Sequence, residues 1–362
     1  MGRHRTVAGV SIVALGLLFL LPTSTGLASA GHASVLATTD AAPATLFNHP
    51  GNLLITDQFN NRVIEVNPLT KQIVWSFGSG NSTLCNPGPG AVIGPNWAER
   101  LSGGLTLIAG TGTPSGIPNA TACADNRVIV VDTSGAIVWQ YGQAGLSGSG
   151  PNLLNVPTSA TQLPNHDILI TDQGNNRVIE VNLHHRIVWS YGPTNGTGAL
   201  NSPNSAELLG NGDILIADEG NNRVIEITHA GTIVWSYSHG LGATAFASRL
   251  LNGDTLFTDA GNNRVLEVTH AKHLVTQFFT NRSIGSNPAP APTNAVRIVG
   301  GDTIIADQFN DRVIVIDSAN RIVFQYGATN VVGHGFDQLF APYSAFVVGD
   351  YTGQTVPPAR FV

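Results

Sequence analysis

The sequence predicts an all-β fold, namely a six-bladed β-propeller of four-stranded antiparallel blades. Three observations support this prediction. A motif close to DQFNNRV recurs along the chain at the spacing of one propeller blade. Each repeat divides into four short apolar runs separated by turn-forming residues. The phrase that opens each repeat also occurs once more near the C-terminus, where no motif follows it.

The motif defines the repeat. Successive copies end in an Arg, and these Arg residues are 65, 50, 46, 41 and 48 positions apart, which is typical of propeller blades. The second copy is degenerate and reads DNRV from Asp125. In the other five copies Asp and Arg lie five positions apart across a tight turn, which predicts a structural ion pair. These pairs are Asp57 with Arg62, Asp172 with Arg177, Asp218 with Arg223, Asp259 with Arg264 and Asp307 with Arg312.

The third complete copy shows the four runs most clearly, at 205–209, 213–217, 223–227 and 232–237. Its third run, RVIEI, is almost continuously apolar and β-branched, as in strands that are buried on both faces. The turn before this run is Glu-Gly-Asn-Asn, and these residues favour tight turns. Each turn offers a single carboxylate from its repeat Asp, so we predict no metal site there.

The end of the chain is expected to close the ring. A small residue lies twelve positions before each intact repeat Asp, for example Ala206 before Asp218. The segment 342–348 repeats this phrase without a following motif, so it is predicted to complete the first blade and remove an open sheet edge. A strand around Thr45 competes for the same place.

Units of the form ILIAD, NNRVIEI and IVWSY resemble NHL repeats over nearly the whole chain after its first 42 residues. This resemblance implies a six-bladed ring with an interaction or catalytic surface on one face. The chain is also similar, more weakly, to arylsulfotransferase-type propellers, through phrases such as 208–215. Those enzymes use a His near the inner strands, whereas the corresponding phrases here read Ser159-Ala160 and Ser205-Ala206.

The N-terminal pattern predicts export. A basic stub with Arg3 and Arg5 precedes an apolar run and the small residues 28–30, which is typical of a secretory signal. We therefore predict a signal peptide at 1–30, a linker at 31–42, the propeller at 43–349 and a tail at 350–362. We expect a secreted monomer, and no later segment of the sequence is long and apolar enough to span a membrane.

The charge balance argues against a nucleic-acid partner. The formal charge of −6 becomes −8 once the two signal arginines are removed, and lysine occurs only at positions 71 and 272. Phosphate recognition requires a dense cationic surface. The two cysteines, Cys85 and Cys123, lie in the long insertions 78–95 and 110–125 of the second unit. In an exported chain they are predicted to form a disulfide.

Two sets of polar residues are candidates for a functional site. The first set consists of six polar residues that follow the small inner-strand position by one or two places. If the three arginines of this set face the central channel, they offer a bidentate site for an anionic group. The alternative is that the arginines pair with neighbouring Glu residues along a water-filled shaft. His239 and His334 lie in connections between blades and are the only catalytic candidates. The inner-strand set is Glu99, Arg100, Gln162, Glu207, Arg249 and Arg297.

The sequence favours a non-enzymatic extracellular module that binds a protein or a glycan. Its binding face is expected to carry the Asp turns and the insertions of the second unit. The alternative is a propeller enzyme, a lyase or an arylsulfotransferase-like protein, with a site at the channel mouth formed by the two His and the inner-strand Arg residues. We predict no cofactor for either function.

Overall fold

The computed structural model describes residues 47–193 and 195–350, which form six four-stranded antiparallel sheets. The predicted signal peptide, the linker, Thr45 and the tail after residue 350 lie outside these residues. The strands of blades 1 to 3 are β1 Leu53–Asp57, β2 Arg62–Val66, β3 Ile73–Gly78, β4 Pro95–Arg100, β5 Thr106–Thr113, β6 Cys123–Val131, β7 Ile137–Gly142, β8 Pro157–Gln162, β9 Ile168–Asp172, β10 Arg177–Val181 and β11 Ile187–Tyr191. Those of blades 4 to 6, with the closing strand, are β12 Pro203–Leu208, β13 Ile214–Asp218, β14 Arg223–Ile227, β15 Ile233–Tyr237, β16 Ala247–Arg249, β17 Thr255–Asp259, β18 Arg264–Val268, β19 Leu274–Phe279, β20 Pro292–Arg297, β21 Thr303–Asp307, β22 Arg312–Ile316, β23 Ile322–Tyr326 and β24 Pro342–Val347.

The predicted fold class is confirmed. Strands β12 to β15 differ from the four predicted runs by at most two residues at either end. Within each blade the strands pair in the order of the chain, from the channel outwards, except in the first blade. The apolar core lies between neighbouring blades: Val178 of blade 3, for instance, belongs to one buried cluster with Ile216 and Ile225 of blade 4.

The C-terminal strand closes the ring. Strand β24 pairs with β1 and is the innermost strand of blade 1. Blade 1 therefore contains residues from both ends of the described chain, with Leu53 opposite Val347. This pairing gives β1 a partner on its inner side, where an exposed edge would otherwise remain.

The Asp turns explain why the motif recurs. In blade 4 the Asp218 carboxylate accepts hydrogen bonds from Arg223 Nε at 2.6 Å, Asn221 Nδ2 at 2.8 Å and the backbone N–H of Asn201 at 2.8 Å. The Asp thus binds its own turn to the connection that leads into the blade. The same Arg Nε to Asp contact, between 2.7 and 2.8 Å, occurs in the other four intact copies, at Arg62, Arg177, Arg264 and Arg312.

The residue before the motif Arg joins one blade to the next. Asn222 has a left-handed backbone with φ 51°, a conformation that Asn tolerates better than most residues. Its Oδ1 accepts the N–H of Ala243 at 2.7 Å, in the connection to blade 5. The equivalent bond is made by Asn61, Asn126, Asn176, Asn263 and Asp311 to the N–H groups of Gly94, Val156, Ser202, Ala291 and Ala341.

Tryptophans of the outer strands also connect neighbouring blades. The indole N–H of Trp139 donates to Leu183 O at 3.2 Å, that of Trp189 to His229 O at 2.8 Å and that of Trp235 to His270 O at 2.8 Å. Each acceptor lies in the outer turn of the next blade. These side chains therefore lie between neighbouring blades and hold them together.

Candidate functional site on the Asp-turn face

Two kinds of loop share one face of the ring. Because the strands are antiparallel, the Asp turns and the connections between blades leave the strands at the same end. We call this side the Asp-turn face. The inner turns between the first and second strands of each blade leave at the opposite end.

The second blade builds a disulfide-tied flap on the Asp-turn face. Cys85 and Cys123 form a disulfide with Cα atoms 5.5 Å apart, which confirms the predicted bridge. Strands β5 and β6 continue past the usual turn position and end in the loop 114–122. We call this loop and the connection 79–94 the flap. The side chain of Ile117 packs against the buried rings of Phe59 and Phe340.

Exposed apolar side chains cluster on the part of this face formed by blade 6 and the two connections beside it. Ile284 is fully exposed, and Phe336 is 63% exposed. We call these two residues, together with Phe309, Val331 and Val332, the apolar sector; all five are exposed.

Hydrogen bonds hold the three loops of the apolar sector together. Asn310 Oδ1 accepts the N–H of Asn287 at 2.6 Å, and its backbone carbonyl accepts the N–H of Asn330 at 2.6 Å. The guanidinium of Arg312 donates to Ser283 Oγ and to Thr329 Oγ1, both at 2.9 Å. The loops that present the exposed side chains are thus fixed to the motif of blade 6.

The opposite end of the ring has fewer exposed apolar groups among the described residues. Leu251 is 90% exposed in the inner turn of blade 5, Val299 is 71% exposed in that of blade 6, and Leu69 is 65% exposed in the outer turn of blade 1. Apolar residues are also exposed along the outermost strands, such as Val138 and Val234, and these are distributed around the rim with the blades. The apolar sector is the set that concentrates on adjoining loops.

Aromatic side chains fill the centre of the ring. Trp97 of blade 2 stacks on Phe246 of blade 5, across the axis, with ring centroids 6.0 Å apart. Phe346 from blade 1 contacts Trp97 in an edge-to-face arrangement, with ring centroids 4.8 Å apart. All three rings are buried. The water-filled shaft that sequence reasoning allowed is therefore wrong at this level of the channel, because these rings occupy it.

A second bridge crosses the channel nearer to the Asp-turn face. The Tyr343 hydroxyl of blade 1 accepts a hydrogen bond from Asn204 Nδ2 of blade 4 at 2.6 Å. Asn204 Nδ2 also donates to Glu219 Oε2 at 2.6 Å, and Gln173 Nε2 donates to the same oxygen at 3.1 Å. Burial raises the pKa of both Glu219 and Tyr343. We call the space around these groups the channel mouth.

Glu99 and Glu207 each accept a hydrogen bond from the inner strand of the next blade. Glu99 Oε2 accepts the N–H of Gln162 at 3.1 Å, and Glu207 Oε2 accepts the N–H of Arg249 at 3.1 Å. Burial raises the pKa of each of these carboxyl groups to about 8. The Gln162 amide is fully buried, and neither its Nε2 nor its Oε1 has a partner among the described residues.

The three inner-strand arginines lie between blades at the end of the strands away from the Asp-turn face. Arg100 pairs with Glu65 at 2.6 Å, Arg249 with Glu226 at 2.6 Å and Arg297 with Glu267 at 2.5 Å. Each partner Glu belongs to the third strand of the preceding blade. The guanidinium groups of the three arginines thus form ion pairs with Glu residues of the preceding blade.

The structure does not bring the candidate histidines to these arginines. His239 and His334 are exposed in connections on the Asp-turn face, whereas Arg100, Arg249 and Arg297 lie near the opposite end of the strands. The side chains of both histidines lack a hydrogen-bond partner within the described part of the chain. The channel-mouth constellation of the enzyme alternative is therefore not assembled.

Sequence reasoning missed the aromatic residues that fill the centre of the ring. Trp97 and Phe246 occupy the inner-strand position at which other units have Ser159, Ser205 or Ser344. A repeat-by-repeat alignment of this position would have revealed the two aromatic exceptions. The apolar sector was missed because four of its five members lie in connections between blades that follow no repeat pattern, and the fifth, Phe309, lies at a variable position of the Asp turn.

Within residues 47–193 and 195–350, no group of three or more His, Cys, Asp or Glu side chains is arranged to hold a metal ion. No helix in the same ranges has the length and hydropathy needed to cross a bilayer.

These features define a six-bladed β-propeller with a plugged channel and a flap on one face. No family model matches the chain, and no curated protein matches it in sequence. A protein of unknown function from Bacteroides caccae superposes with a TM-score of 0.56 at 17% identity, over 76% of this chain and 93% of that one. A chain of the nidogen/laminin complex superposes with a TM-score of 0.54 at 12% identity, covering 81% and 97%.

A catalytically inactive virginiamycin B lyase from Staphylococcus aureus, solved with quinupristin, is a further structural neighbour. Its TM-score is 0.50 at 18% identity, over 75% of this chain and 79% of the lyase chain. At these identities the three superpositions establish the propeller fold alone.

Proposed function

We propose that this chain is an extracellular binding module and that its Asp-turn face docks a protein partner through the apolar sector. The observation that carries the proposal is the concentration of five exposed apolar side chains on three loops that hydrogen bonds hold together. Soluble proteins seldom expose such a surface without a binding role.

The apolar sector suits a protein rather than a small ligand. It protrudes on loops, and the side chain of Ile284 has no protection from solvent. Aromatic and aliphatic groups of this kind form the buried centre of many protein interfaces. The loops are fixed by Asn310 and Arg312, so less conformational entropy is lost when a partner binds.

The flap extends the proposed surface towards blade 2. Phe59 and Phe340 lie beneath Ile117 and connect the flap to the loop that carries Phe336. The flap itself is held by the disulfide and by the bond from Ser82 Oγ to Asn119 O at 2.7 Å. An extracellular location is supported by this disulfide and by the secretory pattern of the N-terminal sequence.

A catalytic role has less support. The His and Arg candidates lie at opposite ends of the strands, and each Arg already has a Glu partner. A chain of the same fold belongs to the nidogen/laminin complex, so propellers of this architecture take part in protein complexes. The similarity to NHL repeats is compatible with either role.

Site-specific photo-crosslinking tests the proposal. A benzoylphenylalanine would be placed at position 336 in the apolar sector and, as the matched control, at the exposed position 251 on the opposite side. Both proteins would be irradiated in the extracellular fraction of the source cells. We expect one crosslinked protein at position 336 and not at 251. Equal patterns at both positions, or no adduct at 336, would contradict the proposal.

A further inference from the structure

Four sequences of the form Asn-x-Ser/Thr occur in the chain, and all four lie in loops on the Asp-turn face. They begin at Asn81, Asn119, Asn195 and Asn281. A sequence of this form, with any residue except Pro at its centre, is the acceptor of N-linked glycosylation in exported proteins. Because so short a sequence also occurs by chance, the local structure must decide which Asn can accept a glycan.

Asn81 forms a tight turn with the third residue of its sequence. Its Oδ1 accepts the backbone N–H of Thr83 at 2.9 Å and the Thr83 hydroxyl at 2.8 Å. A backbone N–H can only donate, so the acceptor atom is the amide oxygen and Nδ2 lies on the other side of the group. Turns of this kind form within the segment itself. The acceptor conformation therefore does not depend on completion of the propeller.

The nitrogen of the Asn81 amide is accessible. Asn81 is exposed, and its Nδ2 has no hydrogen-bond partner among the described residues. The backbone of Asn81 is fixed to the motif of blade 1, since its carbonyl accepts a hydrogen bond from Asn61 Nδ2 at 2.9 Å. The following Thr83 and Leu84 are also exposed. A glycan on Nδ2 would therefore extend into solvent without displacing a buried group.

The other three sequences lack this arrangement within the described part of the chain. At Asn119 the hydroxyl of the third residue donates to a backbone carbonyl in the other segment of the flap. At Asn281 the amide nitrogen itself donates to Pro288 O at 3.2 Å, and the residue is half-buried. At Asn195 no hydrogen bond joins the side chain to the third residue. Asn81 is thus the acceptor that the local structure favours.

We propose that Asn81 carries an N-linked glycan in the exported protein. Its Nδ2 forms a bond to C1 of a sugar that is joined through a diphosphate to a lipid carrier. The bond between C1 and the diphosphate oxygen breaks, the lipid diphosphate leaves, and Nδ2 gives up one proton. An oligosaccharyl transferase of the export route catalyses this transfer, and the bond from the Thr83 hydroxyl orients the amide for it. The modification does not depend on protein docking at the apolar sector.

Mass spectrometry of the natural protein, isolated from the extracellular fraction of the source cells and reduced, tests the proposal. Trypsin cuts after Lys71 and Arg100, so the peptide 72–100 contains Asn81 and none of the other three acceptor sequences. We expect this peptide to be heavier than its sequence by at least one sugar residue, and fragmentation should locate the added mass on Asn81. The peptide 273–282, which contains Asn281, should have the mass of its sequence. An unmodified peptide 72–100 would overturn the proposal.

Two substitutions of Thr83, produced in the same cells, form a matched pair. Thr83→Val keeps the shape of the side chain and removes the hydroxyl, so the added mass should be lost although Asn81 is unchanged. Thr83→Ser keeps a hydroxyl and should retain the glycan. Asn119→Gln removes the neighbouring acceptor sequence of the flap and should leave the mass of peptide 72–100 as it is in the natural protein. Undiminished modification of Thr83→Val would contradict N-linked transfer to Asn81.

Discussion

At the scale of single residues, the repeated Asp stabilises the connection that precedes its blade as well as its own turn. Asp218 is fully buried, and it joins an Arg side chain, an Asn side chain and a backbone N–H of the preceding connection. Its carboxylate therefore fixes three segments of blade 4 at once. The equivalent contacts in the other intact copies account for the recurrence of the motif.

Asp218→Ala should lower the free energy of unfolding by about 2 to 3 kcal/mol, because it leaves Arg223 and two N–H donors without their acceptor. Asp213→Ala is the matched control, since Asp213 lies in an inner turn and bonds to Asn211 at the surface. The control should cost less than about 1 kcal/mol. Urea denaturation of both variants measures the difference, and equal losses would contradict this role of the motif Asp.

The copy of the motif in blade 6 has a carboxyl group at a position where the other copies have an amide. Asp311 replaces the Asn that joins each blade to the next, and its Oδ1 still accepts the N–H of Ala341 at 2.9 Å. Burial, and then the charges of Asp57 and Asp307, raise the pKa of Asp311 to about 7. The folded state therefore holds this proton at pH values where the unfolded chain has lost it.

Asp311→Asn should stabilise the protein in a pH-dependent way. A raised carboxyl pKa favours folding below about pH 4, and this contribution is lost as the pH rises towards 7. The variant keeps the acceptor oxygen and removes the charge, so it should gain about 1 to 3 kcal/mol over the natural protein at pH 8 and little at pH 4. Urea denaturation at both pH values checks this, and a gain independent of pH would refute the titration of Asp311 as its cause.

At the scale of elements, the second blade contains a segment that does not follow the repeat. Its β5–β6 hairpin lacks the usual Asp turn and extends into the flap. The repeat could not predict the position of this hairpin, because no other blade has a copy of it. The disulfide was nevertheless predictable, since topology places both insertions on one face.

Replacing both Cys85 and Cys123 by Ala should cost about 3 to 4 kcal/mol in the chain-entropy model, for the observed separation of 38 residues. The loss should be accompanied by faster proteolysis within 114–122, because the flap then lacks its covalent tie. Limited proteolysis followed by mass spectrometry locates the cuts. Unchanged resistance of this loop would show that its packing against Phe59 and Phe340 suffices.

At the scale of the whole molecule, the closed ring was the most predictable feature. Six countable motifs and one unpaired phrase specified the number of blades and the closing strand. The channel was less predictable, because its contents depend on Trp97 and Phe246 meeting across the axis from blades 2 and 5. Such a contact depends on the finished ring, and no local pattern encodes it.

Removal of residues 342–362 should abolish cooperative folding. Strand β24 supplies the inner strand of blade 1, and its Ala345 and Phe346 belong to the largest buried cluster. Without it, β1 is an open edge that favours aggregation. Removal of residues 351–362 is the control and should leave the melting curve unchanged. Circular dichroism and gel filtration distinguish the two, and a cooperative monomer without β24 would contradict closure by this strand.

The affinity of a purified partner, identified by crosslinking, is the most direct measure of the proposed protein-binding function. Calorimetry would compare the natural protein with Phe336→Ser in the apolar sector and Leu251→Ser in an exposed turn on the opposite side. Loss of one aromatic anchor from an interface should weaken binding about tenfold or more, and Leu251→Ser should leave the Kd unchanged. Equal affinities for the natural protein and Phe336→Ser, or an equal loss in both variants, would contradict docking on the Asp-turn face.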